Sequence, residues 1–284
     1  MEQVTSNVYT ITTQQGCNPG LVLTSGGAVF IDTAQMVTTL MEMRKIALSH
    51  GPIRYLINTE PHLDHISGNH FFNGECPVVS HENLKSIFYT NPNFDCYDQS
   101  IRILTRQDPA GLALFPSRAD HHPNPPTVTF REHMTLEVGD THFELYHTPG
   151  HTTSNISVLI PEEGVIFTAD LVFVNCQTWL QVGDPFEWLR SLAFVKTLDF
   201  EYLVPGHGPV VDKRYLDVQS AFLYEWITAV ANGYAKGWSL AECQQRISFA
   251  DRFPMDYGQE GMMEKVQQCN VACLYKLLSE GKAQ

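Results

Sequence analysis

Thr59-Glu60-Pro61-His62-Leu63-Asp64-His65 sets four groups able to bind a metal ion, Glu60, His62, Asp64 and His65, within six residues. The stretch follows Arg54–Thr59, whose Tyr55-Leu56-Ile57-Asn58 interior reads as a strand. A strand end holds its side chains firmly, and the loop after it lets successive residues turn toward one point. Imidazole nitrogen and carboxylate oxygen are donors that zinc and similar divalent ions accept.

Three later segments repeat this theme, each at the end of a predicted strand: Thr148-Pro149-Gly150-His151-Thr152, Phe167-Thr168-Ala169-Asp170 and Val204-Pro205-Gly206-His207-Gly208. Taken singly, each would read as a buried turn. In α/β folds, however, active-site groups gather on the loops that leave the strands. Glycine ahead of a ligand lets the backbone turn sharply beside an ion.

Outward from these segments the chain alternates strands and helices. Gly20–Leu23 and Ala28–Asp32 read as strands joined at Ser25-Gly26-Gly27, and Thr33–His50 as a helix stopped by Gly51-Pro52. Further strands are expected at Pro77–Ser80, Thr127–Phe130, His142–His147, Ile156–Ile160, Val165–Thr168 and Glu201–Val204. Helices are expected at Glu82–Phe88 and Pro185–Leu198. Residues 90–126 break the rhythm with six prolines, and with Phe94, Tyr97, Phe115, His121 and His122 they read as a lid or substrate loop. From Lys213 the pattern is helical almost to the end, with a break near Phe253-Pro254. The expected organisation is a layered α/β sandwich over residues 1–212, with a helical extension over 213–284. That extension either packs beside the active-site mouth or forms a homodimer interface.

A chain of 284 residues with 43% hydrophobic and 17% charged residues can bury a large core, which excludes extensive disorder. Its net charge of −13 repels phosphate backbones and anionic membranes, so nucleic acid and membrane surfaces are poor partners. The seven cysteines lack a Cys-x-x-Cys pair, and Met1–Ser6 lacks a basic stretch leading into an apolar one. The chain therefore reads as a reduced, cytoplasmic protein acting on a small molecule.

The ordered set Glu-x-His-x-Asp-His, Gly-His, Ala-Asp, Gly-His resembles the metallo-β-lactamase superfamily. That family's signature is His-x-His-x-Asp-His, Gly-His, Gly-Asp, Gly-His. The likeness runs from about residue 7 to about residue 212. It implies a four-layer αβ/βα sandwich with two metal ions at one edge between the sheets. Glu60, His62 and His151 would hold the first ion, Asp64, His65 and His207 the second, and Asp170 would bridge them. It also implies hydrolysis by a hydroxide held between the ions, with Asp64 as the candidate catalytic residue. Tyr97, His121, His122, Asn175 and Trp179 are the candidate substrate contacts.

Glu60 departs from the family, which usually has histidine there. A carboxylate still reaches a metal, but three anionic ligands and one hydroxide would balance the charge of two divalent ions. A more neutral site is a weaker Lewis acid whose bound water has a higher pKa. The donor set suits Zn²⁺ first, with Mn²⁺ or Fe²⁺ also fitting. Ala169 stands where the family has glycine, which is tolerable if its φ is negative, and Ser154 stands where a glycine often follows Gly-His-Thr. Asp32 has two readings, as an orienting partner of a ligand or as a cap of the following helix. His70 reads as a packing residue. The expected activity is hydrolysis of a lactone, lactam or ester. Its alternatives are a mononuclear thioesterase or iron oxygenase of the same fold, and a metal-poor binding protein.

Overall fold

The computed structural model describes residues 1–90, 97–181 and 183–281. One sheet takes its strands in chain order: β1 (Glu2–Gln3), β2 (Val8–Thr10), β3 (Gly20–Thr24), β4 (Gly27–Ile31), β5 (Ile53–Ile57), β6 (Val78–His81) and β7 (Val128–Phe130). Pairing is antiparallel up to β4 and parallel from β4 to β7. The second sheet contains β8 (His133–Val138), β9 (Thr141–His147), β10 (Ile156–Ile160), β11 (Val165–Phe173) and β12 (Tyr202–His207), running β12-β11-β10-β9-β8 across its width. Only its β11/β12 pair is parallel. The described helices are α1 (Val37–His50), α2 (Leu63–Ile66), α3 (Glu82–Thr90), α4 (Tyr97–Gln107), α5 (Pro109–Leu112), α6 (Pro185–Val195), α7 (Tyr215–Ala235), α8 (Leu240–Arg246) and α9 (Met263–Ser279).

The period-2 alternation of side chains sorts these strands into layers. In β4, Val29 and Ile31 meet the second sheet, whereas Ala28 and Phe30 pack under Leu40, Met43 and Ala47 of α1. Opposite them, Val158, Ile160, Val165 and Phe167 face the first sheet, while Leu159 and Ile166 face α6, α7 and α9. The result is a four-layer αβ/βα sandwich, as expected. Covering both faces is what allows β4, β10 and β11 to be buried along their whole length. Trp188 of α6 and Trp226 of α7 are fully buried in the outer layer. Burying a large apolar side chain contributes about 1.5–3 kcal/mol.

Several elements differ from expectation. Strand β11 continues through Ala169 and Asp170 to Phe173 rather than ending at Thr168. Ala169 has φ +49°, in the left-handed region, and the pairing with β12 shifts register on both sides of it. The condition of a negative φ for this alanine is thus not met. The bulge carries backbone strain that glycine would avoid. Helix α1 starts at Val37, not Thr33, whose backbone N–H and hydroxyl both donate to the His65 carbonyl, at 2.9 and 3.0 Å. Strand β8 is absent from the sequence expectations although Met134, Leu136 and Val138 alternate with the exposed His133, Thr135 and Glu137, the period-2 pattern of a half-buried edge strand. Within 90–126 the chain forms α4 and α5. Asp108 caps α5 by accepting from Gly111 N–H at 2.9 Å, and it accepts from Thr38 N–H of α1 at 2.9 Å. Pro92 and Phe94 lie outside the described residues. Among the described residues, no helix is long and apolar enough to cross a membrane.

His81 ends β6 and stacks on His147, which ends β9, with ring centroids 3.8 Å apart. Burial first, and then the neighbouring His147, push the His81 imidazole down to about 4. An unfolded chain titrates this group near 6.5, so between those values it binds more protons than the folded chain does. Stability from this source is full above about pH 6.5 and is lost as pH falls toward about 4. In melts between pH 7.5 and 4.5, His81→Gln should flatten part of the fall in melting temperature. An unchanged slope would contradict this origin.

Candidate metal centre

The exit of β5 is pinned before it reaches the site. Thr59 N–H donates to Asp32 Oδ1 at 2.8 Å, and its hydroxyl donates to the same carboxylate. Ile156 N–H of β10 donates to the Thr59 carbonyl at 2.9 Å, tying the two sheets together at this point. Glu60 emerges fully buried. His62 stands at the N-cap of α2, whose first turn carries Asp64 and His65. The other candidates arrive from the second sheet: His151 after β9, Asp170 within β11, and His207 at the end of β12.

These residues converge in two groups. In the first, His62 Nδ1 lies 2.7 Å from Glu60 Oε1 and 3.1 Å from His151 Nε2. His151 Nε2 also lies 3.2 Å from Asp170 Oδ2. The second group brings His207 Nε2 within 3.4 Å of Asp64 Oδ2 and 3.3 Å of Asp170 Oδ1, and His65 Nε2 within 3.2 Å of the same Asp170 oxygen. Asp170 therefore turns one carboxylate oxygen toward each group.

For His65, His151 and His207 the nitrogen facing away from the centre is occupied. His65 Nδ1 donates to Asp32 Oδ2 at 2.8 Å, His151 Nδ1 to the Trp179 carbonyl at 2.8 Å, and His207 Nδ1 to Asp256 Oδ2 at 2.7 Å. A carbonyl or carboxylate can only accept, so each contact fixes a proton on Nδ1 and leaves Nε2 directed inward as the atom a metal ion would take. Of the two readings of Asp32, the geometry selects the orienting one; Met36, not Asp32, stands at the start of α1.

The donors fit divalent ions on an observation independent of spacing. Glu60 Oε2, His65 Nε2 and Asp170 Oδ1 are buried and make no well-aligned hydrogen bond, His65 Nε2 and Asp170 Oδ1 facing each other only at ion-pair distance, 3.2 Å. Each such orphan costs about 1–3 kcal/mol, and metal coordination would satisfy all three. In the metal-free form, imidazoles offset the carboxylates. Burial alone would raise Asp170, but His207, His65 and His151 hold it well below its ordinary range. Burial likewise opposes ionisation of Glu60, yet His62, His65 and His151 bring it lower. Burial would depress His62, and Glu60 outweighs it, raising the group to about 9.

The centre floors a pocket of about 420 Å³ whose lining includes His62, Asp64, Asp170 and His207, the apolar Leu63, Ile103, Trp179 and Met262, and five glutamines. Among the candidate substrate contacts, Trp179 lines this pocket. Tyr97, His121 and Phe115 cluster instead, and His70 stacks on His121 and His122. From that segment it is Gln99 and Ile103 that reach the pocket. Asn175 is exposed, with φ +55° and its N–H donating to the Tyr215 hydroxyl at 2.7 Å. Residues not singled out from the sequence include Asp256, Gln259 and Cys17. The Cys17 Sγ–H donates to the Asp64 carbonyl at 3.1 Å, and burial pushes its thiol up to about 12. Asn18 donates to the Pro205 and Gly208 carbonyls at 3.0 and 2.7 Å, fixing the loop that bears His207.

The model of the metallo-beta-lactamase superfamily matches residues 12–207, and the chain belongs to that superfamily. It is 25% identical over 204 residues to the Beta-lactamase-like protein 2 homolog of Caenorhabditis elegans, covering 71% of this chain and 59% of that protein. It is also 25% identical over 216 residues to the linear primary-alkylsulfatase of Pseudomonas sp. (strain ATCC 19151), covering 66% of this chain and 40% of that protein. The chain thus spans about half the length of these curated relatives. Its fold resembles that of a metallo-beta-lactamase family protein from Thermus thermophilus, with a TM-score of 0.69, 18% identity, and coverage of 98% and 95% of the two chains.

The glycines that precede His151 and His207 serve this centre through close approach, not through φ. Neither Gly150 nor Gly206 is left-handed. A Cβ on Gly206 would overlap Asp170 Oδ1, and one on Gly150 would sit 2.5 Å from Trp188 Cα. Gly206→Ala should therefore displace the shared carboxylate and weaken zinc binding about 10–100-fold, in the range seen when a ligand's support is lost. Competition with a chromophoric chelator reads this out, and unchanged affinity would contradict it.

Proposed function

We propose that the chain is a metal-dependent hydrolase of a small cyclic or activated carboxyl compound, a lactone, lactam or ester. The observation that carries this reading is the position of Asp170 between two donor groups at the floor of one pocket. Glu60, His62 and His151 would hold one ion, Asp64, His65 and His207 the other, and Asp170 both. Divalent ions bound there would supply Lewis acidity toward a carbonyl oxygen and a low-pKa water.

The protein's own groups do the rest. Trp179, Leu63, Ile103 and Met262 offer apolar walls to a compact organic group, and the glutamines offer amide donors and acceptors to its polar edges. The Asp64 side chain is 19% exposed against 5% for Asp170 and none for Glu60, so it is the most open of the three carboxylates. We assign proton handling to it. Arg102 and Arg106 line an adjoining hollow of about 270 Å³ that shares Gln15, Gln99, Ile103 and Gly258 with the pocket. A substrate with an anionic end would place that end there.

Zinc is the ion proposed, with manganese or iron next because Glu60 adds a hard oxygen donor. Free thiols at Cys17, Cys76, Cys176, Cys243, Cys269 and Cys273 suit a reducing compartment, which supports the cytoplasm as the place of action.

Elemental analysis should find about two ions per chain, and about one in each of His62→Ala and His207→Ala. The loaded parent should hydrolyse at least one member of a lactone, lactam and ester panel, with activity lost in both variants. A parent that retains no metal would overturn the reading in favour of a metal-poor binding protein.

A further inference from the structure

Asp256 lies between α8 and α9, beyond the stretch that the superfamily model matches. Its carboxylate is 10% exposed and accepts from His207 Nδ1 at 2.7 Å. Just past β4, Asp32 does the same for His65 at 2.8 Å. Both histidines of the second donor group thus have a carboxylate behind them, one from the sandwich and one from the C-terminal helical region.

The loop that carries Asp256 is itself held. Gln177, 1% exposed, donates through its backbone N–H to the Pro254 carbonyl at 2.9 Å. Its side-chain amide donates to the Phe249 and Phe253 carbonyls at 2.9 and 2.7 Å. Gln267 of α9 donates to Gln177 Oε1 at 2.9 Å and accepts from Phe249 N–H at 2.6 Å. A buried amide network of this kind fixes position, since breaking any member leaves another unsatisfied.

The same region braces the other donor group. Asn270 of α9 is fully buried. It accepts from Leu180 N–H and donates to the Thr178 carbonyl, both at 2.8 Å. Between these two anchors lies Trp179, whose carbonyl receives His151 Nδ1–H and whose indole N–H donates to Gln259 Oε1 at 3.1 Å.

We propose that the C-terminal helical region is a working part of the metal centre, with Asp256 the positioning residue of His207 and Asn270 bracing the carbonyl that orients His151. Fixing the Nδ1 proton of His207 sets the tautomer and ring plane, so the Nε2 lone pair stays aimed between Asp64 and Asp170. This inference rests on the dinuclear reading above, and its test separates the two.

Zinc alone is titrated into metal-free full-length parent, Asp256→Asn and Asp256→Glu, with chelator competition for affinity and thermal melts of each metal-free protein. The parent should bind two ions. In D256N one of them should bind about 10–100-fold more weakly while the other is unchanged. D256E should recover part of the loss, and the metal-free melting temperatures should stay close. Parent-like binding of both ions in D256N would overturn the role of Asp256 and leave the dinuclear reading standing. Equal weakening of both ions in step with a lower metal-free melting temperature would also overturn it, making Asp256 a general support of the fold. A parent that binds fewer than two ions would overturn both.

Discussion

One buried carboxylate organises this molecule. Asp170 is 4% exposed, and its two oxygens face three imidazoles: His151 on one side, His65 and His207 on the other. An isolated carboxylate in such a place would give up its charge or be hydrated. Here the surrounding histidines keep it ionised in the metal-free protein, and its Oδ1, without a well-aligned hydrogen bond, is the atom the proposed coordination would use.

Much local structure follows from placing that group. Strand β11 bulges at Ala169 in a left-handed conformation, and the shift turns Asp170 toward the gap between the sheets. Left-handed backbone costs an alanine about 1–2 kcal/mol, which neighbouring packing must offset. Trp188 contributes by donating its indole N–H to the Leu171 carbonyl at 2.7 Å while lying edge-on to His151. On the other side, Gly206 lets the β12 backbone approach the carboxylate directly. The parallel β11/β12 pair is thus both sheet and the cradle of this carboxylate.

The sequence made the sandwich legible because β4, β5, β10 and β11 are short apolar runs bounded by turn residues, and the Glu60–His65 segment follows directly on one of them. Edge strand β8 is no continuous apolar run; its signal is the period-2 alternation of Met134, Leu136 and Val138 with exposed polar residues. Local chemistry also exposed Asp32 as a strand-end acid, but only distance distinguishes an orienting partner of His65 from a helix cap. Ala169 was misleading, since its residue type argues for negative φ and only the bulge reveals otherwise. In residues 90–126, aromatic and histidine content drew attention to Tyr97, His121 and His122, whereas the helical turn of α4 presents Gln99 and Ile103 to the pocket. Asp256 was hidden most deeply. It follows Phe253-Pro254, which reads as a break between helices, and no periodicity links a residue to a histidine 49 positions earlier.

The most direct measurement is the zinc stoichiometry of Asp170→Asn beside the parent, by titration calorimetry on metal-free protein. The isosteric amide keeps the shape of the side chain and removes the shared charge. Because one group serves both sets of donors, the two binding events of the parent should weaken together in the variant. If Asp170→Asn loses one ion and binds the other as tightly as the parent, the carboxylate belongs to a single site and the shared centre is contradicted.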